Sequence, residues 1–157
     1  MTKSDSSALE NARSLFAVGT TPITAIATDV VGNSASCSFT VSVLYRVAGF
    51  FAPVNNLPTL NSVNAGRAIP IKFSLSGNKG LNVFAAEPGS GPIGCDSSTE
   101  VELTDTVVAG NSSLSYDPSA GQYVYVWKTD QSWAGTCRQF VIQLRDGTVQ
   151  RANFKLR

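Results

Sequence analysis

Histidine is absent from this chain of 157 residues, and charged residues make up only 15% of it. The absence removes the commonest general base and one of the commonest metal ligands. Serine is abundant, but with no histidine and no evident lysine base nothing activates a serine hydroxyl as a nucleophile. A net charge of +1 gives no general attraction for nucleic acid or anionic membranes. We therefore expect no enzymatic activity, no cofactor and no nucleic-acid partner.

Cysteine and long apolar runs are also scarce. The three cysteines, Cys37, Cys95 and Cys137, lie far apart and show no CxxC spacing, so a zinc site is not expected. No run approaches the roughly 18 apolar residues that span a bilayer, so no membrane insertion is expected. Residues 1–19 lack the apolar core of a secretory signal, which indicates a trimmed or mature piece, or another route to the destination.

The chain does contain strand patterns, and the clearest is aromatic. Tyr123, Tyr125 and Trp127 alternate with valines, and a period of two is typical of a strand. With Trp133 nearby, the two tyrosines could form an exposed platform on which sugar rings stack. The same stripe could equally be the inner face of a sandwich, because aromatic side chains bury large areas.

Two further patterns lie on either side of that strand. Residues 140–144 alternate and then reach Asp146-Gly147, which favours a tight antiparallel hairpin with the residues from Thr148 onward. Residues 69–75 also alternate, and Pro70 within them should lie near a sheet edge or at the start of a strand. We expect a short strand at 81–84 and an irregular link around Pro53 and Pro58.

The N-terminal third predicts a separate hairpin. Residues 1–15 are polar, with a capping-box pattern from Ser7 to Glu10, and form either a short helix or a disordered arm. Residues 23–28 and 36–43 then alternate on either side of the turn at 29–33. The second run carries an apolar stripe of Cys37, Phe39, Val41 and Val43.

Both turns and the cysteine of this hairpin fall in a recognisable order. The motifs FAVGTT from Phe16, ATDVVGN from Ala27 and CSFTV from Cys37 resemble the C-terminal part of a hyalin-repeat (HYR) domain, over about residues 16–44. The resemblance implies an extracellular immunoglobulin-like sandwich of which only the later strands are present. Members of that family commonly pair this last cysteine with one in an earlier strand, so Cys37 is expected to be unpaired or to lie at an intermolecular contact.

The rest of the chain resembles another family. The Pro-Ile-Lys-Phe motif from Pro70, with GFF and PVNN upstream and YDPSAGQYVYVWKTDQSWAGTC downstream, is similar to the bacterial PxKF domain from about Tyr45 to the C-terminus. The resemblance implies a secreted or surface-exposed β domain with no established enzymatic activity.

That setting bears on Cys95 and Cys137, which both follow glycine-containing turns. In the surface or secreted setting that the resemblance implies, we expect a disulfide between them rather than two separately buried thiols. By loop entropy the bridge would contribute roughly 3 to 4 kcal/mol.

Two turns carry oxygen-bearing side chains that could in principle bind calcium. They are Asp29 with Asn33, and Asp117 with Pro118. Calcium requires six to eight oxygens, and neither turn supplies a dense acidic cluster. An Asx-type turn, in which the carboxylate accepts from nearby backbone amides, is the preferred interpretation.

Together these patterns predict an all-β protein. We expect a polar arm at 1–15, a partial HYR-like hairpin at 16–45, and an immunoglobulin-like antiparallel β-sandwich at 46–157. The expected function is that of a non-catalytic structural or adhesive module of a cell surface or extracellular assembly, with a surface glycan or a protein as a further partner. The hairpin needs a cover for its apolar stripe, so it either folds back or joins copies into an oligomer or polymer by strand addition. The alternatives are a carbohydrate-binding module using Tyr123, Tyr125 and Trp133, and a virion surface or decoration protein.

Overall fold

The computed structural model of this chain describes residues 16–96, 100–102, 106–107 and 113–157. The polar arm expected at 1–15 lies outside the described residues. A short 3-10 helix at Gln131–Trp133 lies between the eighth and ninth strands. The strands are β1 (Gly19–Thr28), β2 (Ser34–Val43), β3 (Ala48–Phe51), β4 (Leu60–Val63), β5 (Ala68–Ser74), β6 (Gly89–Ile93), β7 (Ser113–Asp117), β8 (Gln122–Lys128), β9 (Cys137–Gln143) and β10 (Val149–Leu156). Within those described ranges, no helix is long and apolar enough to cross a membrane.

Two structural units make up the chain, the first ending at Val43 and the second spanning Leu44–Arg157. In the first unit, β1 and β2 form a two-stranded antiparallel sheet. In the second, the strands form two four-stranded sheets, ordered β4-β10-β9-β6 and β3-β5-β8-β7. The expected all-β sandwich class is confirmed.

The core of the second unit follows from strand register. On β5, Ile69, Ile71 and Phe73 are buried, and their register partners on β8 are the buried aromatic residues of that strand. Because register partners point to the same side of a sheet, all six side chains share the inner face. From the other sheet, Phe140 and Phe154 pack against Trp127 with ring centroids 4.9 and 5.0 Å away.

The sandwich is not wholly antiparallel, which corrects the expectation. β10 pairs with β9 in antiparallel register through the Asp146-Gly147 turn, but it pairs with β4 in parallel register. The backbone continues this pairing beyond the strands, since Arg157 N–H donates to Val63 O at 2.8 Å and Ala65 N–H donates to Arg157 O at 2.8 Å. A parallel pair needs a long crossover, and here most of the second unit separates the two strands. Local sequence patterns do not report such a pairing.

Pro70 lies near the start of a strand, which is one of the two placements expected for it, although β5 is not an edge strand. β3 pairs with β5 at Lys72 and Ser74, whereas Pro70 has its register partner on β8. Pro70 therefore lies near the start of β5, before the part of the strand that β3 flanks. Proline has no N–H to donate, and this is tolerated at Pro70 because the pairing of β5 with β3 begins only at Lys72.

One local prediction was wrong. Residues 81–84 do not form a strand, and only Phe84 makes an isolated bridge, to Leu144. The link around Pro53 and Pro58 is irregular, as expected, and it runs from the end of β3 to the start of β4. Asn56 explains the first of these strand ends: its side chain accepts from Phe50 N–H at 2.7 Å and donates to Phe50 O at 2.9 Å. An amide side chain thus replaces a backbone partner, which a period of two does not reveal.

Candidate functional site

The two tyrosines proposed as a ligand platform lie in the core. Tyr123 is 0% exposed and Tyr125 is 3% exposed. Tyr123 stacks on Phe73 with centroids 5.3 Å apart, and its hydroxyl accepts from Lys79 N–H at 2.6 Å and donates to Gly80 O at 3.0 Å. The platform prediction is therefore wrong for these residues, because the face that alternation gives them is the inner face of the sheet.

Trp133, the third member of the predicted platform, is partly exposed but lies against another group. Its ring is 6.3 Å from that of Trp127, and the Arg138 guanidinium lies over it with Cζ 4.0 Å from the ring centroid. Arg138 also donates from Nε to Ser90 Oγ at 3.1 Å and from Nη2 to Ser90 O at 2.9 Å. Burial lowers the pKa of Arg138, because desolvation disfavours the charged form. The ring therefore supports a buried cation instead of presenting a free stacking surface.

The two aspartate turns are Asx-type turns, as expected. Asp29 Oδ1 accepts from Val31 N–H at 3.0 Å and from Asn33 N–H at 2.9 Å, and Asp29 Oδ2 accepts from Asn33 Nδ2 at 2.8 Å. Asp117 Oδ1 accepts from the amide and hydroxyl of Ser119. Hydrogen bonds from the Asn33 side chain and from Ser119 Oγ, respectively, are the main causes that lower the pKa values of Asp29 and Asp117. Both carboxylates therefore bond to backbone amides of their own turns, as in an Asx turn.

The expected disulfide between Cys95 and Cys137 is present, with Cα atoms 5.2 Å apart. Cys137 is buried at the start of β9, opposite Ile93, the last residue of β6. Cys95 follows β6 by two residues, so the bridge ties an edge strand to its neighbour just beyond the ladder. Cys37 is free and exposed.

A cleft lies beside this disulfide, and sequence reasoning missed it. Its cavity volume is about 310 Å³, with an apolar wall that includes Leu57 and Ile93 and acidic side chains from Asp96 and Glu100. A second hollow of about 260 Å³ shares Leu57 and Glu100 and extends to Arg151. Arg151 pairs with Glu100 at 3.3 Å.

Buried amides line the first cavity. Gln139 on β9 and Asn153 on β10 are register partners, and Gln139 Nε2 donates to Asn153 Oδ1 at 2.9 Å. Gln139 Oε1 accepts from Val101 N–H at 2.9 Å, and Asn61 Nδ2 donates to Asn153 O at 3.1 Å. These hydrogen bonds attach the segment around Val101 to β9, and they attach the edge strand β4 to β10. The sequence signal was polar residues at alternate positions, Gln139 and Gln143 on β9 and Arg151, Asn153 and Lys155 on β10, a pattern that ordinarily indicates a solvent face.

The hairpin of the first unit has two chemically different faces. On one face, threonine hydroxyls of β1 bond with serine hydroxyls of β2, although Ile26 also lies there. The three pairs are Thr20 with Ser42 at 3.2 Å, Thr24 with Ser38 at 3.1 Å, and Thr28 with Ser34 at 3.0 Å. The opposite face carries five register pairs: Gly19 with Val43, Thr21 with Val41, Ile23 with Phe39, Ala25 with Cys37, and Ala27 with Ala35.

The apolar face of this hairpin, meaning those five pairs, is open to solvent from Phe39 to the turn, and it is half-buried further away, at Ile23, Val41 and Val43. Phe39 is 51% exposed, and the Cys37 thiol is exposed beside it. At the turn, Val30 and Val31 are 104% and 78% exposed. The predicted apolar stripe is thus present on one face of the hairpin.

Comparison with known proteins gives a match over part of the chain. A family model, the HYR domain, matches residues 2–43. This match confirms the HYR resemblance of the hairpin and starts earlier than the expected residue 16. No curated protein matches the chain. No solved structure matches it.

Proposed function

We propose that this chain is a non-catalytic structural or adhesive module of an extracellular or cell-surface assembly, and that its copies associate through the N-terminal hairpin. The observation that carries the proposal is the exposed apolar face of a hairpin that matches the HYR domain. HYR domains are extracellular immunoglobulin-like modules. Contiguous apolar patches are rare on the surfaces of soluble monomers, and where they occur they usually mark a site of interaction with another molecule.

The second unit supports the same location. Its disulfide between Cys95 and Cys137 is of the kind that persists in oxidising compartments. We further propose that residues 45–157 form a PxKF domain, on the strength of the Pro-Ile-Lys-Phe motif in β5 and the aromatic strand β8. A domain whose strands are joined by a disulfide suits a load-bearing or surface role.

Light scattering of the purified chain over a range of concentrations tests the association. We expect the average mass to rise with concentration, because a two-stranded sheet with an open apolar face is marginal alone. A matched pair of variants places lysine on either face of the hairpin: Val41→Lys should weaken association, and Thr40→Lys should not. A chain that stays monomeric at every concentration would contradict the proposal.

Electron micrographs of the same samples distinguish the forms that association could take. Closed dimers, open filaments and lattices differ in their symmetry and in whether the contact repeats head to tail. Particles that bind only to a preformed capsid lattice would favour the virion decoration protein instead. The carbohydrate-binding alternative loses the tyrosines on which it was based, since both are buried.

A further inference from the structure

We propose that the partner of the hairpin is a second copy of this chain, packed face to face and antiparallel, with a two-fold axis passing beside the Ala25 and Cys37 pair. This inference rests on the proposed function, since it specifies the contact through which copies associate. It is carried by the order of side-chain sizes along the apolar face.

The sizes change along the strands. Next to the turn, the apolar face has only small residues, at the Ala27 and Ala35 pair and at the Ala25 and Cys37 pair. Further from the turn, Ile23 and Phe39 form the bulkiest pair. A flat apolar surface could not cover both ends. A surface in contact with Phe39 would leave a gap over the alanines, and a surface in contact with the alanines would clash with the ring of Phe39.

A reversed copy fits both ends at once. With the two-fold axis beside Cys37, rotation places Phe39 over Ala35 of the partner subunit and Ile23 over Ala27 of the partner subunit. The two contacts then repeat on the other side of the axis, as an isologous interface requires. Bulky residues facing small ones are how packed sheets interdigitate.

The same arrangement covers the turn. Val30 and Val31 lie in the turn, five and six residues beyond Ala25, and Val41 and Val43 lie four and six residues beyond Cys37 on the other side of the axis. Rotation therefore brings the exposed turn valines near the apolar end of the partner's hairpin. The hydroxyl pairs of Thr24 and its neighbours stay outside the contact, because they point to the opposite face.

The size of the contact sets its strength. From strand dimensions, the face covers about 40 Å by 10 Å, or about 400 Å² on each copy. The total of about 800 Å² is smaller than the about 1,200 to 2,000 Å² of stable interfaces, so the contact is a weak and reversible one. The axis brings the two Cys37 side chains together, so Cys37 reports on the contact.

The first experiment uses Cys37 as that reporter in the full chain. Oxidised glutathione exchanges with one Cys37 thiol to give a mixed disulfide and one glutathione. The partner's Cys37 thiolate then displaces the second glutathione, so the two thiols are oxidised and one glutathione disulfide is reduced. The control carries both Cys37→Ser and Ser38→Cys, which moves the thiol to the hydroxyl face. We expect cross-linking of the native chain to be at least about tenfold faster, because association raises the effective thiol concentration. Equal rates would overturn the inference.

The second experiment exchanges the sizes of facing residues. Phe39→Ala should leave a gap over Ala35, and Ala35→Phe should place two rings against each other, so each variant should associate more weakly by light scattering. The chain carrying both substitutions should recover association, because each large ring again faces a small residue. Backbone amide spectra of β1 and β2 show whether each variant keeps the hairpin. A double variant that keeps the hairpin and associates no better than the single ones would contradict the arrangement.

The outcomes separate this inference from the proposed function. If association persists undiminished in Phe39→Ala and Ala35→Phe, copies join through strand edges, so the inference fails and the proposed function stands. If the chain is monomeric at every concentration and forms no Cys37 cross-link above the control, both fail.

Discussion

The hairpin and the sandwich are built from the same alternation of apolar and polar residues, but they use it differently. On β8 the alternate face bears Tyr123, Tyr125 and Trp127, all buried against a second sheet. On β2 the alternate face bears Cys37 and Phe39, both exposed. A strand pattern therefore indicates that a face needs a cover, and it does not tell whether the same chain supplies one. The predictions below test this difference, from the largest expected effect to the smallest.

The largest effect is expected for Trp127→Ala in the sandwich core. The ring is 0% exposed and contacts Phe140 and Phe154 across the two sheets. Removing it should lower the free energy of unfolding by about 3 to 5 kcal/mol, as for other buried aromatic residues. Phe39→Ala on the hairpin is the comparison, and it should leave the unfolding of the sandwich unchanged. Urea denaturation followed by circular dichroism measures both, and equal losses would refute the division into two units.

Loss of the disulfide should have the next largest effect. The bridge joins residues 42 positions apart. Replacing Cys95 and Cys137 together with alanine should lower the free energy of unfolding of the sandwich by about 4 kcal/mol on the loop-entropy relation. Cys37→Ala is the matched control, since that thiol is free and exposed. A thermal unfolding midpoint that is the same in all three proteins would contradict this prediction.

The buried amides beside the cleft should give a smaller loss. Gln139→Leu keeps an apolar stem but leaves Val101 N–H and Asn153 Oδ1 without their partner. Burying such groups unpaired should cost about 1 to 3 kcal/mol. Gln143→Leu, at a partly exposed position of the same strand, is the control. Denaturant titration of both variants should separate them, and a neutral Gln139→Leu would show that the amides are dispensable.

The smallest effect concerns pH and the turn of the hairpin. The folded pKa of Asp29 is lowered from its ordinary 3.8, chiefly by the hydrogen bond from the Asn33 side chain. A depressed pKa means that the carboxylate stabilises the turn fully above its ordinary pKa, and that this stabilisation is lost as pH falls through the folded value. We expect amide spectra of β1 and β2 to change below pH 3.8, and to change less in Asp29→Ala.

Asp117 provides the internal comparison for that titration. It closes a similar turn between β7 and β8, and its pKa is lowered chiefly by the hydrogen bond from Ser119 Oγ. Its two strands belong to a covered sheet, so Asp117→Ala should leave the amide spectra of the sandwich strands close to native at neutral pH. A larger spectral change in the sandwich for Asp117→Ala than in the hairpin for Asp29→Ala would contradict the expectation that the covered sheet tolerates loss of its turn better than the hairpin does.

Much of the local structure could be predicted from the sequence. Alternation located β1, β2, β5, β8 and β9, because the period of two is a property of a single strand, and the Asp146-Gly147 turn then located β10. Asp146-Gly147 and Asp29 marked turns, because their geometry depends on a few neighbouring residues. The family resemblance indicated that Cys95 and Cys137 pair, and the structure has that pair.

Tertiary structure decided which faces became inner and which strands became neighbours. The sequence allowed Tyr123 and Tyr125 to be either a platform or core, and the register of β5 on β8 settled it, because Phe73 and Ile71 lie beside them on the same face. The parallel pairing of β4 with β10 and the buried amides of Gln139 and Asn153 depend on residues far apart in the chain. A local pattern records what one strand needs, whereas the partner that meets the need is fixed only when distant segments meet.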